Sequence, residues 1–72
     1  MLNKKEFGLR LRDVRKASGE QQKDLADFLD ISTAQISDME NGKKTTTLER
    51  LVVICEHYHV SSDYLLGLSD HR

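Results

Sequence analysis

The stretch QKDLADFLDISTAQISDMENG, residues 22–42, decides how this chain folds. Gln22 to Leu29 sets Leu25, Ala26, Phe28 and Leu29 on a helical period, enough apolar surface for two turns that must lean on neighbours, because so short a helix is unstable alone. Asp30-Ile-Ser32 interrupts it. Ser32-Thr-Ala-Gln35 reads as a reciprocal cap, in which the serine oxygen accepts an N–H three residues on while the glutamine reaches back. A second short helix therefore spans Thr33 to Glu40, and Asn41-Gly42 closes it through a left-handed residue. Its large apolar side chains, Ile36 and Met39, lie one turn apart and form a narrow anchoring stripe. Thr33, Ala34, Ser37, Asp38 and Asn41 share the opposite side, with Gln35 on its flank. Ala26 is small where the two helices must approach, Ile31 tucks under the turn, and Ile36 and Met39 face Leu25 and Leu29. The pair projects its second helix outward.

Upstream, Phe7, Leu11 and Val14 recur at i, i+4 and i+7, predicting a helix from about Asn3 to Ala17 that Ser18-Gly19 ends. Downstream, Thr47 is an N-cap with Glu49 in the first turn of a helix over 48–58, whose Leu48, Leu51, Val52, Ile54, Cys55 and Tyr58 are expected mostly inward. His59 suits the left-handed position after it. Ser61 and Asp63 open a last helix over 62–68, presenting Leu65, Leu66 and Leu68. There is no proline, and the apolar period is helical throughout. The expected architecture is all-α: five helices, at about 3–17, 22–29, 33–40, 48–58 and 62–68, in one domain spanning residues 1–72.

Seventy-two residues with 38% apolar content suffice for one small core and fall short of most enzyme architectures. The longest apolar run, Leu51 to Cys55, is far below the roughly 20 residues that cross a bilayer, so no membrane role is expected. Met1 to Phe7 lacks the pattern of a secretory signal, and a lone cysteine cannot form an internal disulfide; a reducing cytoplasm is the expected setting. Cys55-x-His57-x-His59, with His71 as a fourth ligand, mimics a metal motif. Residues two apart on a helix point to nearly opposite sides, however, and Cys55 belongs to the apolar stripe. The same apolar setting argues against a nucleophilic thiol. No metal, cofactor or catalytic residue is expected.

Across nearly its whole length the chain resembles the Xre or Cro/CI-type repressor family, the lambda-repressor-like helix-turn-helix proteins. Phe7-Gly-Leu-Arg-Leu-Arg-Asp-Val-Arg15 is similar to the family's first helix and Gln22-Lys-Asp-Leu-Ala26 to its second. Ile31-Ser32 to Asn41-Gly42-Lys43 resembles its turn and recognition helix. Thr47-Leu-Glu-Arg-Leu51 with Val60-Ser-Ser-Asp-Tyr-Leu-Leu-Gly67 resembles the closing pair. The resemblance implies a dimer on a palindromic operator in double-stranded DNA, regulating transcription, most simply as a repressor. By position it assigns base reading in the major groove to Thr33, Ala34, Gln35 and Asp38. Contacts to the DNA backbone fall to Arg15, Gln22, Ser32, Ser37, Asn41, Lys43 and Lys44. Arg15 and Glu40 match a pair that bridges the first and third helices. Tyr64, Leu66 and Leu68 offer an apolar patch for the dimer.

Three departures qualify that picture. Residues 24–42 contain no lysine or arginine but five acids, Asp24, Asp27, Asp30, Asp38 and Glu40, and the net charge is −1. Cations must frame the acidic helix from outside: residues 1–23 hold seven bases against three acids, and Lys43, Lys44 and Arg50 follow it. Weak background binding with strong salt dependence is expected. Glu20-Gln21 replaces the family's usual apolar residue and serine cap, at an expected cost of about 1 kcal/mol at the start of the second helix. Asp30 stands where glycine is usual in the turn, a position aspartate tolerates. The acidic third helix also fits a module, antirepressor- or antitoxin-like, that meets a basic protein partner. The closing Gly67-Leu-Ser-Asp-His-Arg72 reads either as a tail or as the junction to a longer regulator.

Overall fold

Each of five helices sends one large side chain into complete burial: Leu11, Leu25, Ile36, Ile54 and Leu65. The computed structural model describes residues 1–72. Its elements are α1 (Lys4–Ala17), α2 (Gln22–Leu29), α3 (Thr33–Glu40), α4 (Leu48–Tyr58) and α5 (Ser62–Leu65), with no strand. Phe7, Val14, Ala26, Met39, Leu51 and Tyr64 complete the core. Removing any of the five fully buried side chains to alanine costs about 2–5 kcal/mol, because burial is lost and a cavity remains. No helix is long and apolar enough to cross a membrane.

The capping signals act as their residue types require. The side-chain oxygens of Asn3, Ser32, Thr47 and Ser61 each accept an N–H from the first turn of α1, α3, α4 and α5. At the other ends one device recurs five times. An N–H five residues on bonds back into the helix, Glu20 to Arg15, Ile31 to Ala26, Lys43 to Asp38, Val60 to Cys55 and Leu68 to Asp63, each across a left-handed residue. Asp30 and His59, both at φ 57°, hold two of these five positions where glycine is otherwise the favoured residue.

Several expectations are corrected. Asn3 caps α1 and lies outside it. α5 ends at Leu65 and not at residue 68, because Gly67 turns left-handed and the Leu68 N–H folds back to Asp63. In α4 the inward stripe is only Leu51, Ile54, Cys55 and Tyr58, spaced i, i+3, i+4, i+7. Leu48 and Val52 lie on the neighbouring stripe and are 81% and 57% exposed. Phe28 is likewise outside the core. At the start of α2 the Gln21 side chain caps no first-turn N–H, as expected, and what closes the entry is instead the Gln21 N–H donating to Asp24 Oδ2 at 2.8 Å.

Candidate nucleic-acid interface

α3 is held from below by buried polar groups, and its outer side is left open. Ile36 and Met39 bury its inner stripe, while Thr33, Ala34, Gln35 and Asn41 are exposed and Ser37 and Asp38 are half-buried at the edges. The reciprocal cap forms as expected: Gln35 N–H donates to Ser32 Oγ at 3.1 Å, and Ser32 N–H to Gln35 Oε1 at 3.0 Å. This turns the Gln35 carbonyl back into the helix, so the two-point pairing with adenine that needs both amide atoms is not offered in this conformation. Asn41 Nδ2 donates to Ser37 Oγ at 3.2 Å, joining two of the polar residues on the outer side.

Beneath α3 lies the expected bridge between the first and third helices. Arg15 Nε donates to Glu40 Oε2 at 2.6 Å and Nη2 to Glu40 Oε1 at 3.0 Å, a forked pair with both side chains almost free of water. Arg15 Nη1 donates to the Glu20 carbonyl at 2.8 Å. The hydrogen bonds to Glu40 hold the guanidinium pKa above its already high ordinary value, against the opposing effect of burial. Gln22 Nε2 gives Glu40 Oε1 a further hydrogen bond at 3.0 Å. Two of the residues assigned to the DNA backbone, Arg15 and Gln22, therefore point into the protein, because an unpaired Glu40 carboxylate at this depth would be far costlier than a lost phosphate contact. They set the position of α3. Gly8 also fixes that position, since a Cβ there would lie 2.4 Å from the Met39 carbonyl oxygen and 2.6 Å from that of Glu40, so only glycine lets α1 run this close to the end of α3.

A short helix pair that projects its second member outward is the arrangement that residues 22–42 predicted, and the buried ion pair beneath it is the one the resemblance implied. The helix-turn-helix family model matches residues 11–65. The chain belongs to this family, of the Xre/Cro-CI type. Among curated proteins, this helix-turn-helix chain is 38% identical over 61 residues to the HTH-type regulator YobD of Bacillus subtilis. It is 35% identical over 65 residues to the HTH-type transcriptional regulator PrpR of Mycobacterium tuberculosis. The alignments cover 85% and 90% of this chain, but only 54% of YobD and 13% of PrpR. Among solved structures, the clp gene regulator ClgR of Corynebacterium glutamicum superimposes with a TM-score of 0.77 at 27% identity, covering 93% of this chain and 87% of that one. The restriction-modification controller protein C.AhdI of Aeromonas hydrophila shares the fold, with a TM-score of 0.74 at 24% identity over 85% of this chain and 92% of that one.

Around this helix-turn-helix unit the structure adds a fastening that sequence reading missed. Glu20, which stands where relatives commonly carry an apolar residue, accepts the Tyr58 hydroxyl at 2.8 Å and lies 2.7 Å from His57 Nε2. His57 stacks on Phe28 with ring centroids 4.0 Å apart. The turn before α2 and the outer side of α2 are thereby tied to α4. Burial first, then the Glu20 hydrogen bond and charge, pushes the Tyr58 phenol far above its ordinary pKa, so it stays a donor. No local signal marks this cluster, since Glu20 and Tyr58 lie 38 residues apart.

The remaining candidates separate. Lys43 and Lys44 are exposed and enter no ion pair. Ser32 is exposed at the cap. Of the proposed dimer patch, Tyr64 is a correction: it is 8% exposed, a core residue with the Arg10 guanidinium 4.8 Å from its ring centre. Leu66 is half-buried and Leu68 is 75% exposed. Leu66 borders a hollow of 120 Å³ shared with Leu2, Leu48 and Leu51, and together with Leu68 it borders a second of 200 Å³ shared with Met1 and Leu2. Cys55 packs against the core, and burial pushes its thiol pKa up, which disfavours the nucleophilic thiolate.

Proposed function

We propose that this domain is the DNA-reading part of a transcriptional regulator, a repressor that binds a palindromic operator as a dimer with α3 in the major groove. The single observation that carries this reading is the open outer side of α3, with Thr33 and Ala34 uncovered above a buried Arg15–Glu40 pair that the half-buried Gln22 joins. A threonine or alanine methyl suits a thymine methyl, and Asp38 suits a cytosine amino group. On this reading Ser32, Ser37, Asn41, Lys43 and Lys44 meet phosphates. The apolar surface around Leu66 and Leu68, widened by Leu48, supports the dimer. Occupying the operator excludes other proteins from it.

A second reading, contact of α3 with a basic protein surface, is favoured by the five acids and the absence of any cation over residues 24–42. Selection from a random duplex pool at low and moderate salt decides between them. Enrichment of an inverted repeat is the expected result, with Thr33→Ala shifting preference at one base position and Lys43→Ala weakening all sequences alike. No enrichment at either salt concentration overturns the DNA reading.

A further inference from the structure

The acidic recognition unit needs cations from elsewhere, and tertiary packing brings one to the end of α3 that sequence order hides. A Cβ on Gly42 would lie 2.7 Å from Lys5 Cα and 3.2 Å from Lys5 Cβ. The Lys5 side chain thus springs from beside the residue that precedes Lys43 and Lys44, although 37 positions separate Lys5 from Gly42 in the chain. All three lysines are exposed, and none enters an ion pair. Glu6, next to Lys5, is taken by Arg10 at 2.9 Å, and Glu40, at the end of α3, is taken by Arg15. The lysine charges therefore stand unopposed by these carboxylates.

Two further features fit an anionic partner. Lys43 and Lys44 both donate their backbone N–H to the Asp38 carbonyl, at 2.9 and 3.3 Å, so the loop that carries them is ordered in advance. Lys5 lies in the first turn of α1, where a cation opposes the helix dipole and disfavours the helix unless an anion is met there.

We infer that Lys5 of α1 joins Lys43 and Lys44 of the α3–α4 loop in one phosphate clamp, gripping the duplex backbone beside the C-terminal end of α3. This deepens the reading of α3 as a DNA-binding helix and rests on it. The grip is one-sided, because residues 24–42 supply no cation toward the other end.

The test measures binding of the full chain to a mixed-sequence DNA duplex across a salt series, with Lys5→Gln, Lys43→Gln and, as a control of equal charge change, Arg72→Gln. Thermal melting confirms that each variant is folded. Losing one phosphate contact lowers the slope of log affinity against log salt by about 0.9, so affinity falls about 3.5-fold less between about 50 and 200 mM salt. Lys5→Gln and Lys43→Gln are each expected to show this change, and Arg72→Gln is expected to keep the wild-type slope. A wild-type slope for Lys5→Gln, or an equal change for Arg72→Gln, overturns the clamp while leaving the DNA reading intact. Failure of the wild-type chain to bind duplex at any salt concentration overturns both.

Discussion

Two arginines of α1, five positions apart, make similar bonds in different surroundings. Arg15 forks onto Glu40 with side-chain exposures of 8% and 1%. Arg10 reaches Glu6 and Asp70 at 2.9 and 3.0 Å, but those carboxylates are 47% and 94% exposed. Arg10 also donates to the Tyr64 and Ser69 carbonyls, tacking the C-terminal segment onto α1. Water screens the Arg10 pairs and can replace either partner, whereas at Arg15 nothing replaces Glu40. One arginine fastens a surface segment. The other fixes the helix on which the proposed function depends.

The strongest way to break this contrast is to remove Glu40. Glu40→Ala strands the buried guanidinium and the Gln22 amide, and should cost about 3–5 kcal/mol in urea unfolding. A double variant, Arg15→Met with Glu40→Leu, should recover most of that loss, because no charge is left buried; failure to recover would mean that the pair contributes more than mutual compensation. Gly8→Ala comes next. It leaves both charges in place but forces α1 away from the Met39 and Glu40 carbonyls, at about 1–3 kcal/mol by analogy with overpacked cores. Arg10→Ala should have the smallest effect of the single substitutions, a shift in melting temperature below that of Glu40→Ala or Gly8→Ala and reduced further by salt. A salt-independent loss as large as that of Glu40→Ala would erase the distinction between the two sites.

How much of this was legible depended on how far apart the partners lie. Caps at Ser32, Thr47 and Ser61 and the left-handed ends at Gly42 and His59 each involve only a few consecutive residues, and the sequence pattern located them, whereas the left-handed Asp30 was read from the resemblance. The Arg15–Glu40 bridge was accessible only through family resemblance. α4 misled, because Leu48 and Val52 are as apolar as Leu51 and Ile54 but lie outside the inward stripe. Tyr64 misled in the opposite sense: its apparent surplus of apolar area is used in the core under Arg10.

By itself the amino-acid order determined the number of helices, most of their limits and which side of α3 faces outward, since helical period and capping chemistry act over four or five residues. Only the tertiary structure decided where the charges go. Arg15 and Gln22 turn inward to Glu40, Glu20 takes His57 and Tyr58, and Lys5 comes to lie beside Gly42. The reason is physical: a charged side chain takes its role from the nearest opposite charge and from its access to water, and folding sets both.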